Sequence, residues 1–121
     1  MGEGSYSNLG LHFTPNEDYS PCVIIGKNVS IGPGVTFLPN SEPNNSELLK
    51  NNSYVKNNLI KKNTQIIVED DVWLGANCVL MPGITIKRGS IIGAGAIVTK
   101  NTEEFCTYAG VPAKKIRNYI K

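Results

Sequence analysis

The sequence contains few of the residues that mark several common classes of protein. Its 121 residues include one histidine, one tryptophan and three cysteines, and the net charge is only +2. A single histidine excludes a catalytic zinc site with three histidine ligands, and the sequence indicates no metal site. The small net charge, with no long basic run, argues against nucleic acid as a partner.

The three cysteines, Cys22, Cys78 and Cys106, have no metal-type spacing, and an odd number does not suit a disulfide framework. They are interpreted as small hydrophobic residues in a reduced cytoplasm. No apolar run reaches the roughly 20 residues of a membrane span, and the N-terminus has no signal-peptide pattern. The sequence therefore predicts a soluble cytoplasmic protein with a single domain over residues 1–121. Its small size favours oligomerisation, since short chains bury a modest fraction of their surface.

A large apolar residue recurs every six positions over much of the chain. An amphipathic α-helix would instead repeat its apolar positions at spacings of three and four, so the pattern indicates another structure. The main series is Val68, Leu74, Leu80, Ile86, Ile92 and Val98, and the same spacing occurs upstream at Ile25, Ile31 and Phe37.

A second series lies three residues after the first and contains only glycine, asparagine and aspartate. These residue types tolerate the left-handed backbone region, which Cβ crowding closes to most others. Each repeat is therefore predicted to be a short strand followed by a corner, and three repeats close one triangular coil of an all-β solenoid. The corner series is Gly4, Gly10, Asn28, Gly34, Asn40, Asp71, Asn77, Gly83, Gly89, Gly95 and Asn101.

Three segments leave the six-residue period. Residues 13–22, which contain Pro15 and Pro21, are expected to form a turn or short loop. Residues 38–65 are rich in asparagine and lysine, and we expect an extruded loop there that leaves the coil and returns. Residues 103–121 are expected to cap the open end of the coil with a loop through Gly110–Pro112 and a short basic C-terminal helix.

The stretch D-V-W-L-G-A-N-C-V-L-M-P-G-I-T-I-K-R-G-S-I-I-G-A-G-A-I-V-T-K-N, followed by A-G-V-P-A-K-K-I-R, resembles the hexapeptide-repeat acetyltransferases. The similar types are the galactoside and maltose O-acetyltransferases and the xenobiotic acetyltransferases. The resemblance implies a single-stranded left-handed parallel β-helix that forms a homotrimer. It also implies that acetyl-CoA lies in a groove between the β-helices of neighbouring subunits. Residues 1–11 resemble a coil that follows earlier sequence in the family.

The same resemblance assigns coenzyme contacts. Small residues would let the pantetheine arm lie against backbone amides, and basic residues would meet the nucleotide phosphates. Corner packing is the alternative interpretation for the alanines, and a solvated basic face is the alternative for the C-terminal cations. Trp73 is interpreted as packing between coils. The positions are Ala76, Ala94, Thr99, Lys100, Lys114 and Arg117.

The catalytic positions carry over less fully. The family places a histidine before a proline in the extruded loop, and here Glu42 precedes Pro43. The remaining histidine, His12, lies near Asn8, which matches an acceptor-binding asparagine, and Asp18 is a second candidate acceptor contact. Either Glu42 or His12 could act as the base, or no protein base is needed because the acceptor is an amine.

Three functions therefore stay open. The favoured one is transfer of an acetyl group from acetyl-CoA to a hydroxyl of a small, sugar-like acceptor. The second is N-acetylation of an amino sugar, which would explain the missing histidine. The third is a catalytically inactive β-helix that binds or scaffolds. The sequence alone does not name the acceptor, because fold does not determine substrate.

Overall fold

Short parallel strands, each followed by a turn, wind through most of the chain. The structure is a computed structural model that describes residues 22–39, 43, 45–59 and 64–121, together with the backbone of 6–7 and 12–13. The strands are β1 (Tyr6–Ser7), β2 (His12–Phe13), β3 (Val23–Ile25), β4 (Ser30–Ile31), β5 (Thr36–Phe37), β6 (Ile66–Val68), β7 (Trp73–Leu74), β8 (Val79–Leu80), β9 (Thr85–Ile86), β10 (Ile91–Ile92), β11 (Ile97–Val98), β12 (Cys106–Ala109) and β13 (Lys114–Asn118).

The strands form three sheets, each of which takes every third strand. Their orders are β1-β4-β7-β10-β12-β13, β11-β8-β5-β2 and β3-β6-β9, and all pairs except β12–β13 are parallel. Leu74 therefore pairs with Ile31 in the coil below and with Ile92 in the coil above. This three-sided parallel coil fits the left-handed β-helix that the resemblance implies.

The six-residue aliphatic series forms the core, as predicted. The six members from Val68 to Val98 are each at most 2% exposed, and Ile31 and Phe37 continue the column below them. Cys78 and Cys106 are also buried. Burial raises the pKa of the Cys78 thiol to about 12, so this thiol is neutral at physiological pH, as expected of a core residue.

The described members of the corner series also adopt the predicted backbone, with one exception, whereas Gly4, Gly10 and Asn40 lie outside the described residues. Asn28, Gly34, Asp71, Asn77, Gly83, Gly89 and Gly95 all have positive φ. Asn101 does not, and its side-chain oxygen instead accepts a hydrogen bond from the backbone N–H of Thr85 at 2.8 Å. The prediction of a left-handed corner at Asn101 is therefore wrong.

The next left-handed corner after Gly95 lies at Phe105, whose φ is 57°, and not at a position of the six-residue series. Ile91 pairs with Thr107, sixteen residues later, whereas Trp73 pairs with Ile91, eighteen residues later. The last coil is therefore two residues shorter than the coil below it. Because of this shortening, Phe105 precedes β12 at the position that Gly89 holds before β10.

The C-terminal cap is a strand, so the prediction of a short basic helix is wrong. The chain turns at Gly110 (φ 96°), and β13 pairs antiparallel with β12. The reason is that the last coil exposes unpaired backbone groups along β12, and a returning strand satisfies them. The end of β13 is held by Tyr119, whose hydroxyl donates to the carbonyl of Gly89 at 2.6 Å.

The segment between β5 and β6 contains two short helical elements in its described part. These are α1 (Glu47–Lys50), whose first turn is capped by the Ser46 hydroxyl, and a π-helical turn (Val55–Leu59). Their large apolar side chains are mostly exposed, for example Leu48 at 76%. The path of the predicted extruded loop, 38–65, includes residues outside the described set and stays a prediction. Neither described helix has the length and apolar character needed to cross a membrane.

Candidate active site

A groove of about 430 Å³ runs along the outer surface of the sheet that contains β4, β7 and β10. We call it the lower groove. It brings together two of the predicted coenzyme positions, Ala76 and Ala94, which lie at equivalent corners of successive coils. The other lining residues are Ser30, Ile31, Gly32, Pro33, Trp73, Gly75, Ile91, Ile92 and Gly93.

Close stacking of the coils at this groove requires glycine. A Cβ atom at Gly75 would lie 2.6 Å from the carbonyl oxygen of Ile92 and 2.7 Å from the backbone nitrogen of Ala94. Both contacts are shorter than side chains tolerate, and both involve backbone atoms that cannot move easily. The glycine therefore sets the distance between the two alanine corners.

The backbone at Ala94 is open to a ligand. The coil below is connected at this corner, because the N–H of Gly95 donates to the carbonyl of Ala76 at 2.8 Å. Among the residues the structure describes, neither the N–H nor the carbonyl of Ala94 has a hydrogen-bond partner. The Ala94 side chain is small and the residue is exposed, so a slender ligand has access to both groups.

Trp73 lies on this groove. The interpretation of Trp73 as packing between coils stays a prediction, and in this chain the residue is 58% exposed. The physical reason is strand alternation: Leu74, the next residue of β7, points inward, and Trp73 therefore points outward.

A second groove, of about 350 Å³, lies at the C-terminal end of the β-helix. We call it the upper groove. It brings together three further predicted positions, Thr99, Lys100 and Lys114. Thr99 and Lys100 follow β11, and Lys114 begins β13, which the turn at Gly110 returns to the same place. The other lining residues are Val98, Asn101, Glu103, Tyr108, Pro112, Ala113 and Lys115.

Arg117 is not part of the lining of the upper groove. It lies farther along β13, where it pairs with Thr107 and is exposed. Of the six predicted coenzyme positions, two therefore line the lower groove, three line the upper groove, and Arg117 lies on the strand that bounds the upper groove.

The upper groove also contains residues that the sequence analysis did not identify. The ammonium group of Lys115 lies 3.0 Å from a carboxylate oxygen of Glu103, and this hydrogen bond and charge raise the pKa of Lys115. The backbone N–H of Glu103 donates to the hydroxyl of Tyr108 at 2.8 Å. The adjacent lysines of A-K-K-I-R were the available signal for Lys115, but no pattern in the sequence indicated its acidic partner.

The predicted catalytic and acceptor residues are not placed by the structure. Asn8, Asp18 and Glu42 lie outside the described residues. His12 is described only as backbone, which pairs with Thr36 of β5. Within the described part of the chain, no group of histidine, cysteine or acidic residues could hold a metal ion.

The fold and the grooves define a class, the three-sided β-helix built from six-residue repeats. The family model "Bacterial transferase hexapeptide (six repeats)" matches residues 65–100, which extend from just before β6 to just after β11. This match and the relatives below confirm the resemblance to the hexapeptide-repeat acetyltransferases.

The chain is 38% identical over 117 residues to a galactoside O-acetyltransferase of Escherichia coli K12, covering 97% of this chain and 52% of the relative. It is 35% identical over 92 residues to a 2,3,4,5-tetrahydropyridine-2,6-dicarboxylate N-acetyltransferase of Staphylococcus aureus, covering 76% of this chain and 31% of the relative. A solved structure of a hexapeptide-repeat acetyltransferase from Vibrio cholerae matches with a TM-score of 0.75 and 29% identity, covering 98% of this chain and 61% of that one. The chain spans about half the length of the galactoside O-acetyltransferases it matches.

Proposed function

We propose that this protein transfers an acetyl group from acetyl-CoA to a hydroxyl of a small, sugar-like acceptor. The observation that carries the proposal is that five of the six predicted coenzyme positions line two grooves on the surface of the same β-helix. Similarity to galactoside O-acetyltransferase supports the hydroxyl acceptor. We further propose a reducing cytoplasm as its location, which the three free cysteines support.

In the proposed complex, the lower groove holds the pantetheine arm and the upper groove holds the phosphate-bearing end of the coenzyme. The free N–H and carbonyl of Ala94 bind the amide groups of pantetheine. Lys100 and Lys114 form no ion pair with any residue the structure describes, so their charges are available to phosphate oxygens. Arg117, which lies farther along the same strand as Lys114, adds a further cation.

In the proposed reaction, the acceptor oxygen attacks the thioester carbonyl carbon. Either Glu42 or His12 takes the hydroxyl proton as the new C–O bond forms. The C–S bond then breaks, and the CoA sulfur leaves as a thiolate that takes up a proton. A positioned base is needed because a sugar hydroxyl is a poor nucleophile. Asn8 and Asp18 are proposed to hold the acceptor.

Replacement of both Lys114 and Arg117 by glutamine is expected to weaken CoA binding by about tenfold or more, because charge-assisted phosphate contacts are lost. Dephospho-CoA, which lacks the 3′-phosphate, should be weakened less. Isothermal titration calorimetry with both ligands measures the difference.

The matched control replaces Lys27 and Lys121 by glutamine, which makes the same change in net charge at exposed positions outside both grooves. This control should bind CoA as the unchanged protein does. Equal weakening of CoA and dephospho-CoA in the Lys114/Arg117 variant would contradict a selective contact with the 3′-phosphate. Normal CoA binding by that variant would contradict the proposed phosphate site.

We propose that the working form is a homotrimer in which the neighbouring subunit completes the grooves. The exposed indole of Trp73 on the lower groove supports this, since the β-helix of a neighbouring subunit would cover it. Sedimentation at micromolar concentration should give about three times the chain mass. A monodisperse monomer that still binds acetyl-CoA would contradict the shared groove.

The second candidate function is N-acetylation of an amine, which similarity to an N-acetyltransferase favours. A neutral amine is already nucleophilic and needs no strong base. A screen of sugar, amino-sugar and antibiotic acceptors distinguishes the two reactions. The measured quantity is the free CoA thiol released with each acceptor. CoA binding without transfer to any of these acceptors would instead indicate an inactive β-helix that binds or scaffolds.

A further inference from the structure

The upper groove combines three lysines with one carboxylate. Lys100, Lys114 and Lys115 all line it, and among its described lining residues Glu103 is the one that is acidic. Its net charge is therefore +2, from three positive charges and one negative. The four charged side chains are not equivalent, because one of the lysines is paired and the other two are not.

Glu103 is held in place through its backbone. Its N–H donates to the Tyr108 hydroxyl at 2.8 Å, and its carbonyl accepts from the Ser90 hydroxyl at 3.1 Å. Ser90 is fully buried and also contacts the Thr102 hydroxyl, at 2.8 Å. The backbone of Glu103 is therefore tied to the core at the upper end of the coil, although its side chain is 67% exposed.

From this position the Glu103 carboxylate reaches Lys115, at 3.0 Å from its ammonium nitrogen. An exposed ion pair of this kind contributes little to stability. Its effect on a ligand is different, because an ammonium group that already binds a carboxylate is less available to a phosphate. Lys100 and Lys114 have no such partner in the described part of the chain.

We propose that Glu103 is a specificity-determining residue of the upper groove, where it withholds Lys115 from anionic ligands and so limits how tightly phosphate groups are held. The inference rests on the proposed acetyl-CoA function. Its consequence there is faster release of the product CoA, a step that often limits turnover in enzymes. Phosphates would then be bound by Lys100, Lys114 and the nearby Arg117, without Lys115.

The chain offers a matched pair of variants to test this. Glu103→Gln and Glu104→Gln remove the same charge from adjacent, exposed positions, but Glu104 does not line the groove and forms no ion pair within the described residues. Calorimetry with CoA and with inorganic pyrophosphate should show both ligands bound about three- to fivefold more tightly by Glu103→Gln, the effect expected of one exposed charge pair. Glu104→Gln should bind them as the unchanged protein does.

A double variant tests the route through Lys115. Adding Lys115→Gln to Glu103→Gln should remove the gain in affinity, and the gain should shrink as salt is raised, since exposed charges are screened. Unchanged or weaker binding by Glu103→Gln, an equal gain in Glu104→Gln, or a gain that persists in the double variant would each overturn the proposal. Failure of the proposed function is recognised separately. In that case the unchanged protein would not bind CoA, while pyrophosphate would still distinguish Glu103→Gln from Glu104→Gln.

Discussion

Replacement of Glu42 by glutamine is expected to lower turnover by about 10²-fold or more while leaving acetyl-CoA affinity unchanged. A positioned base contributes about 10²–10⁴-fold to such a reaction, and glutamine keeps the size of glutamate but cannot accept a proton. The measurement is release of CoA thiol under saturating acetyl-CoA with a working acceptor, together with calorimetric binding of acetyl-CoA.

His12→Asn provides the comparison for this experiment. If Glu42 is the base, His12→Asn should have the smaller effect, mainly on acceptor binding. The reverse ranking would assign the base to His12. If both variants keep full turnover, no protein base is needed and the amine acceptor is favoured. The rate should then rise with pH until the amine is neutral, and a hydroxyl acceptor of the same shape should fail.

Replacement of Leu80 by alanine is expected to lower the free energy of unfolding by about 2–5 kcal/mol, which is the usual range for removing a fully buried leucine side chain. Leu80 is 0% exposed and pairs with Phe37 below and Val98 above, so the cavity would interrupt the aliphatic column between two coils. Denaturant unfolding at fixed protein concentration measures the loss, since the stability of an oligomer depends on concentration.

Val79→Ala is the matched control for this variant. Val79 is the adjacent residue of β8, points to the other face and is only half-buried, so its truncation should cost much less. An equal loss for the two variants would contradict the assignment of the six-residue series to the core. If the Leu80 variant instead changes the slope of the free energy of unfolding against denaturant concentration, the compactness of the unfolded or the native state has changed.

The grouping of the proposed coenzyme residues in space was partly predictable from sequence, and the reason is physical. Ala76 and Ala94 are corner residues of regular repeats, so the period that places them in the sequence also places them in space. Arg117 shows where this fails, because it lies beyond the last repeat on a strand whose pairing the period does not encode. The proposed catalytic roles of Glu42 and His12 stay predictions.

The sequence by itself determined the coil. Each repeat needs an inward aliphatic residue and a corner that tolerates positive φ, and both requirements are local, so they can be read from residues such as Leu80 and Gly83 without knowing the rest of the fold.

The tertiary structure alone decided the upper end. Whether residues 114–118 form a helix or a strand depends on the unpaired edge of β12, which exists only after the coil has closed. The same holds for the left-handed corner at Phe105 and for the contact between Glu103 and Lys115. These features arise from where the last coil ends relative to the returning chain, and that geometry has no period in the sequence.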